Sequence, residues 1–196
     1  MKTPLLTNLI LLSCWVAPAQ YNSAAKTQNW NNIISVSKME GTHTSGLQFS
    51  YLKNTNYWWN DWLIPLSFSF QTKEIQEDTF LESPYLSVTK TQGTLGFSGY
   101  KPLAPQWLLN VEVGVILGNE ILVDLFNRRD ERFVFGLGSS QGVMFVPSSQ
   151  WGIVLQAGIY EDIVNSKLYT FDVGVHIGAG LRFQSTQSPP SQSTHL

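Results

Sequence analysis

The stretch Tyr169-Thr170-Phe171-Asp172-Val173-Gly174-Val175-His176-Ile177-Gly178-Ala179-Gly180-Leu181-Arg182-Phe183 decides the fold. Every odd position is apolar, while the even positions are Thr, Asp, Gly, His or Arg. A side-chain period of two belongs to a β-strand, and here its two faces are chemically opposite. Residues 169–183 also run far beyond the five or six residues of an ordinary globular strand.

The alternation recurs upstream. Residues 107–117 carry Trp107, Leu109, Val111, Val113, Val115 and Leu117 on one face, and residues 151–159 carry Trp151, Ile153, Leu155, Ala157 and Ile159. Residues 62–70 carry Trp62, Ile64, Leu66, Phe68 and Phe70. Residues 133–145 alternate at both ends around Ser139 and Gln141, and shorter strands are expected around Leu95 and Phe97, Leu47 to Tyr51, and Ile34 and Val36. The total is eight strands. Residues 101–106 and 147–150 read as short turns; residues 72–84, 118–131 and 161–167 read as longer, mostly charged loops. Short turns on one side and long loops on the other suit a transmembrane barrel with the turns in the periplasm. Residues 53–61 are long for such a turn.

The ends frame this domain. Residues 1–19 read as a secretory signal: Lys2 supplies positive charge, an apolar run follows, and Ala17-Pro18-Ala19 offers a small-x-small cleavage site. Leu11-Leu12-Ser13-Cys14 is a competing lipoprotein box. Residues 20–183 form the expected barrel, and residues 184–196, rich in Ser, Gln, Thr and Pro, read as a disordered tail. Cys14 is the only cysteine, which excludes a disulfide framework. With His43, His176 and His195 as the only histidines, no metal-ligand cluster is expected, and no cofactor motif is present. A net charge of −2 argues against nucleic acid.

Taken together, the chain resembles the small eight-stranded outer-membrane barrels of the OmpA, OmpX and opacity-protein type. The resemblance rests on the signal, the strand count, the loop asymmetry and the ending Gly178-Ala179-Gly180-Leu181-Arg182-Phe183. It implies an all-β, antiparallel, up-and-down barrel in the cell outer membrane. Outer-membrane lipid, lipopolysaccharide and the barrel-assembly machinery are then its expected partners, with a further surface partner open. Trp62, Trp107 and Trp151, with Phe145 and Phe183, are expected in an interfacial aromatic girdle. A soluble lipocalin-like ligand carrier is the structural alternative. Against it stand Gly174, Gly178 and Gly180, which share a face with Asp172, His176 and Arg182: a narrow lumen explains that mixture better than a solvated face does.

Glu112, Asp172, His176 and Arg182 are the candidate polar residues of the lumen, with Lys38 a further candidate. Their reading as packed, paired charges is preferred to a proton or ion path. Outer-membrane lipid A deacylases use a His-x-Ser pair, and His43-Thr44-Ser45 is similar, but in that family the pair lies late in the chain within a longer motif. The third loop joins an apolar half, residues 121–126, to a charged half in which Arg128, Arg129 and Arg132 are candidates for contact with lipopolysaccharide phosphates. A structural or surface-interaction role without catalysis is the leading expectation, ahead of a small-solute pore and a lipid A-modifying enzyme.

Overall fold

A computed structural model describes residues 32–55, 57–76, 85–104, 106–147 and 152–183. The proposed signal segment, the tail and Trp151 lie outside these residues. Eight strands build the wall: β1 (Asn32–Gly41), β2 (Thr44–Lys53), β3 (Leu66–Ile75), β4 (Tyr85–Ala104), β5 (Trp107–Asp124), β6 (Arg129–Phe145), β7 (Ile153–Val164) and β8 (Phe171–Phe183). Each pairs antiparallel with its sequence neighbour, and β1 pairs with β8, from Asn32 opposite Phe183 to Gly41 opposite Gly174. The sheet is therefore a closed up-and-down barrel, the expected fold, with no free edge among these strands.

The register also fixes the slant. Leu66 leads through Phe97, Val113, Ser139 and Glu161 to Val173, whose carbonyl accepts from the Thr42 amide. In the other direction Leu66 lies opposite Lys53, one residue beyond the pairing of Leu52 with Ile33. One circuit thus climbs from Asn32 to Thr42, a shear of about ten residues, which tilts the strands by about 45°.

Apolar side chains cover the outside. Phe49, Phe70, Leu95, Phe97, Val115, Leu137, Ile177 and Leu181 are all exposed, an arrangement that water would penalise and lipid accepts. No helix of the described residues is long and apolar enough to cross a membrane.

Three expectations on strand limits change. The alternation at residues 62–70 runs through Pro65, which lacks an N–H, and the wall strand begins only at Leu66. Trp62 belongs instead to a hairpin, Trp58–Trp59 against Trp62–Leu63, folded about Asn60 and Asp61 with φ of 46° and 66°. Two consecutive positive φ values are those of a type I′ turn. The length of the connection at residues 53–61 is thereby explained, because its hairpin pairs Leu63 with Tyr100 and tucks Leu63 into the barrel mouth.

Secondly, the three charged loops are shorter than expected. β3 continues to Ile75, β7 to Val164, and β5 and β6 to a turn at residues 125–128, so that Arg129 and Arg132 are strand residues. β4, expected as a short strand, is the longest at 20 residues. Thirdly, β8 starts at Phe171, and Tyr169 leaves the outer face to lie buried over the lumen.

Candidate functional site

Parity decides what enters the lumen, and the inward residues form layers. At the end of the barrel that holds Asn32 and Phe183, Ile33, Leu52, Leu63, Tyr100, Leu108, Met144 and Val154 pack into an apolar plug. At the other end Ile75, Val88, Ile116, Leu122, Val134, Val164 and Tyr169 form a second. Polar residues lie between. Lys73 of β3 reaches Asp162 of β7 at 2.6 Å and Asp172 of β8 at 3.8 Å, with these side chains at most 5% exposed. β3 and β7 stand four strands apart in either direction around the wall, so this contact crosses the full width of the barrel.

Further donors complete the cluster. Asp172 accepts from the His43 amide at 2.9 Å, from the Thr44 hydroxyl at 2.5 Å and from the Tyr160 hydroxyl at 3.1 Å. Asp162 accepts from Gln92 at 3.1 Å, and Gln92 also donates to Gln71 at 2.8 Å. Lys73 lies 4.3 Å from the Tyr160 ring centre, and Lys90 donates to the Tyr169 hydroxyl. Such density is what buried charge requires, because each ion taken from water costs several kcal/mol unless geometry and hydrogen bonds offset it. Beside the cluster a cavity of about 30 Å³, bounded in part by Met39, Ser69, Thr94 and Glu112, has room for about one water. The lumen formed by the described residues is filled.

The four expected lumen residues do not form one network. Asp172 joins the ion cluster. His176 is buried at mid-depth, opposite Gly158, where an added Cβ would lie 2.6 Å from the imidazole Nε2. Glycine at position 158 is what admits the ring. Glu112 accepts from Ser98 at 3.4 Å, and Arg182 lies near the barrel end that holds Asn32, its amide donating to the Gly152 carbonyl at 2.6 Å. Lys38 faces outward, paired with Glu40 at 2.8 Å and with its side chain 68% exposed, so it is no lumen residue. Its parity with the outward Ile34 and Val36 sets that direction.

Lys73, Lys90, Glu120 and Asp162 were missed. Lys73, Glu120 and Asp162 fall in segments whose charge suggested solvated loops, although the period of two continues through them, as in Ser67, Ser69, Gln71, Lys73 and Ile75.

Of the expected girdle, Trp107 and Phe145 meet on neighbouring strands with ring centres 4.7 Å apart. Phe183 stacks on Tyr51, which also stacks on Phe68. Trp62 lies against the outer side of β4, where a Cβ at Gly99 would meet its ring at 2.9 Å. These rings gather at the end of the barrel that holds both chain ends of the wall.

At the opposite end the wall is uneven. At about 3.3 Å per residue and about 45° of tilt, the 18 residues of β5 rise roughly 42 Å, against roughly 23 Å for the ten of β1. The β5–β6 hairpin therefore overhangs the rim, and Phe126 at its tip is 78% exposed. Asp124 holds the turn: its carboxylate accepts from the amides of Phe126 and Arg128 at 2.9 and 2.8 Å and from the Arg128 guanidinium at 2.8 Å. The Arg128 amide, ahead of an opposing desolvation and then of the Arg128 guanidinium, keeps the Asp124 carboxyl below the usual range. Asn127, at φ 59°, supplies the left-handed residue of the turn, its amide donating to the Asp124 carbonyl at 2.9 Å while the Asp124 amide donates to the Arg128 carbonyl at 3.0 Å.

The arginines there are internally matched. Arg128 pairs with Asp124, Arg129 with Glu131 at 2.6 Å, and Arg132 donates to the Asn165 carbonyl at 3.2 Å. Lys167 lies 3.7 Å from Asp130, and its ammonium is pushed above the usual value first by its hydrogen bond with Tyr85. A cleft of about 340 Å³ opens beneath the tip, lined by Tyr85, Asp124, Leu125, Phe126, Arg128, Arg129 and Asp130.

His43 and Ser45 do not converge. His43 stacks on Tyr169 at 5.2 Å over the lumen, whereas Ser45 lies opposite Glu40 and hydrogen-bonds to that outward carboxylate. Among the described residues no group of three His, Cys, Asp or Glu could hold a metal ion.

A closed, filled eight-stranded barrel with an apolar outer belt is the fold of the small outer-membrane barrels. Solved structures agree. Ail, the attachment invasion locus protein of Yersinia pestis, is 19% identical, with a TM-score of 0.51 over 78% of this chain and 97% of that one. It is also known in complex with the heparin analogue sucrose octasulfate. Neisserial surface protein A is 14% identical, with a TM-score of 0.52 over 79% of this chain and 97% of that one. At such identities the likeness concerns the fold. No family model matches the sequence, and no curated protein matches it either.

Proposed function

We propose that the protein resides in the outer membrane and acts through its extracellular face, as a structural or surface-contact protein without catalysis. The filled lumen carries this reading. Two apolar plugs enclosing a paired ion layer leave no passage for a solute, and the failure of His43 and Ser45 to meet leaves the lipid-modifying alternative without its pair. What remains distinctive is the overhanging hairpin, with exposed Leu125 and Phe126 beside Arg128 and Arg129. An apolar tip flanked by guanidinium groups suits an amphiphilic anionic surface, of which lipopolysaccharide is the nearest example. That Ail has been solved with a heparin analogue supports a surface-contact role on this type of scaffold. The last strand, ending at Phe183, is proposed as the segment offered to the barrel-assembly machinery.

The test has two parts. Outer-membrane fractions should contain a species whose gel mobility changes on boiling, and purified protein should produce no steady conductance in planar bilayers. Replacing Leu125 and Phe126 with Ser should then weaken binding to lipopolysaccharide-bearing vesicles while the heat-modifiable form persists. Steady conductance, or vesicle binding indifferent to the tip, would overturn the proposal.

A further inference from the structure

The outer wall is not uniform. On β2 to β5 the middle of the belt is apolar, with Phe49, Phe70, Leu95 and Val115 exposed. On β1, β6 and β7, around β8, polar groups interrupt it: Lys38 and Glu40 on β1, Ser139 and Gln141 on β6, and Glu161 on β7. Glu161 lies between the exposed Ile159 and Ile163 on its own strand, with Val173 and Ser139 as cross-strand partners. None of the described residues forms an ion pair with it. A carboxylate facing hydrocarbon is costly unless something pairs with it.

The register shows where an opposite charge stands. Lys38 lies opposite Ile177 of β8, which lies opposite Ala157 of β7; Glu161 is four residues further up that strand. The slant of the wall cancels more than half of that rise. Lys38 and Glu161 therefore flank β8 at nearly the same height, one on each side of its exposed Val175 and Ile177.

We propose that this wall docks a second copy of the chain about a two-fold axis along the membrane normal, passing beside β8, with Lys38 of each copy meeting Glu161 of the other. The inference rests on the membrane placement proposed above. Such an axis preserves height and sets β1 of one copy against β7 of the other, so a wall carrying both signs at one level is self-complementary. The aliphatic face of β8 forms the centre. Lys38 retains its contact with Glu40, because an ammonium has three donors.

The test uses the full chain in outer membranes, with Cys14→Ser as background. Val175→Cys, at the axis, should form a disulfide-linked dimer under an added oxidant, and Leu95→Cys, four strands away on β4, should not. Lys38→Glu or Glu161→Lys should each lower the cross-linked fraction severalfold, and the combined reversal should restore it. Equal linking at Leu95→Cys overturns the proposal. So does a Val175→Cys protein that is heat-modifiable yet stays monomeric, including one that instead retains lipopolysaccharide through Lys38. Absence of the heat-modifiable form in the unsubstituted chain would sink the membrane placement, and this inference with it.

Discussion

Replacing Lys73 with Met should destabilise the barrel more than removing an exposed cation of the overhanging hairpin. Lys73 lies 2.6 Å from Asp162 and 3.8 Å from Asp172, and its side chain is fully buried. Methionine fills a similar volume but leaves two carboxylates facing each other in a layer sealed by apolar plugs, with Lys90, opposite Lys73 on β4, held by the Tyr169 hydroxyl. Breaking a buried pair from one side costs about 3–5 kcal/mol. The exposed Arg129–Glu131 pair of the overhanging hairpin has the same distance, 2.6 Å, yet its loss should cost less than about 1 kcal/mol. Urea titration of protein folded into lipid vesicles, read by the heat-modifiable band and by tryptophan fluorescence, measures both. Adding Asp162→Asn to Lys73→Met should recover part of the loss, with a coupling of about 2 kcal/mol. A Lys73→Met protein within about 1 kcal/mol of Arg129→Met would refute the argument that the cluster holds the lumen together.

Other outcomes follow from the same geometry. The Asp124 carboxyl is held low, so its contribution to hairpin order is complete above the ordinary carboxylate value and is lost as pH falls through its depressed folded-state value. Amide exchange at Phe126 and Arg128 should accelerate over that acidic window, and Asp124→Asn should shift or abolish the dependence while the barrel stays folded. The Lys167 contact with Tyr85 runs the other way, complete below the ordinary lysine value and lost as pH rises through the elevated one. Asn127→Val should raise proteolytic nicking of the tip, since a β-branched residue resists φ of 59°, whereas Asn127→Gly should not. Gly96→Val should cost about 3 kcal/mol, because its Cβ would run into the Val113 carbonyl; Gly93→Ala, with its nearest contact at 3.8 Å, should stay within about 1 kcal/mol of the parent. Both are measured by the same urea titration.

How much of this was legible beforehand depended on which face carried the signal. On β8 the outward residues are apolar and the inward ones polar or glycine, and on β5 the outward residues from Trp107 to Leu117 are apolar around the inward Asn110, Glu112 and Gly114, so parity assigned Asp172, His176 and Glu112 to the lumen. The signal failed near the end of the barrel opposite Asn32 and Phe183. There the outward residues Thr72 and Glu74 are polar as well as the inward Lys73, and alternation of hydrophobicity vanishes although alternation of direction persists. Lys73 and Asp162 therefore looked like loop charges. Pro65 was the opposite failure: Trp62, Ile64 and Leu66 have the parity of Phe68, and only the missing N–H marked where the wall begins. No property of a single strand could show that Lys73 and Asp162 meet, because that contact depends on barrel circumference.

That contact has a mechanical consequence. A cylinder squeezed from the side becomes oval, and a small barrel offers little resistance through hydrogen bonds that run around its circumference. Lys73 and Asp162 act as a strut across one diameter, and the arm to Asp172 triangulates it onto the strand that closes the seam with β1. Lateral pressure from crowded neighbours must then break a short, solvent-free ionic contact before the cross-section can flatten, which gives a thin-walled tube the stiffness of a braced frame.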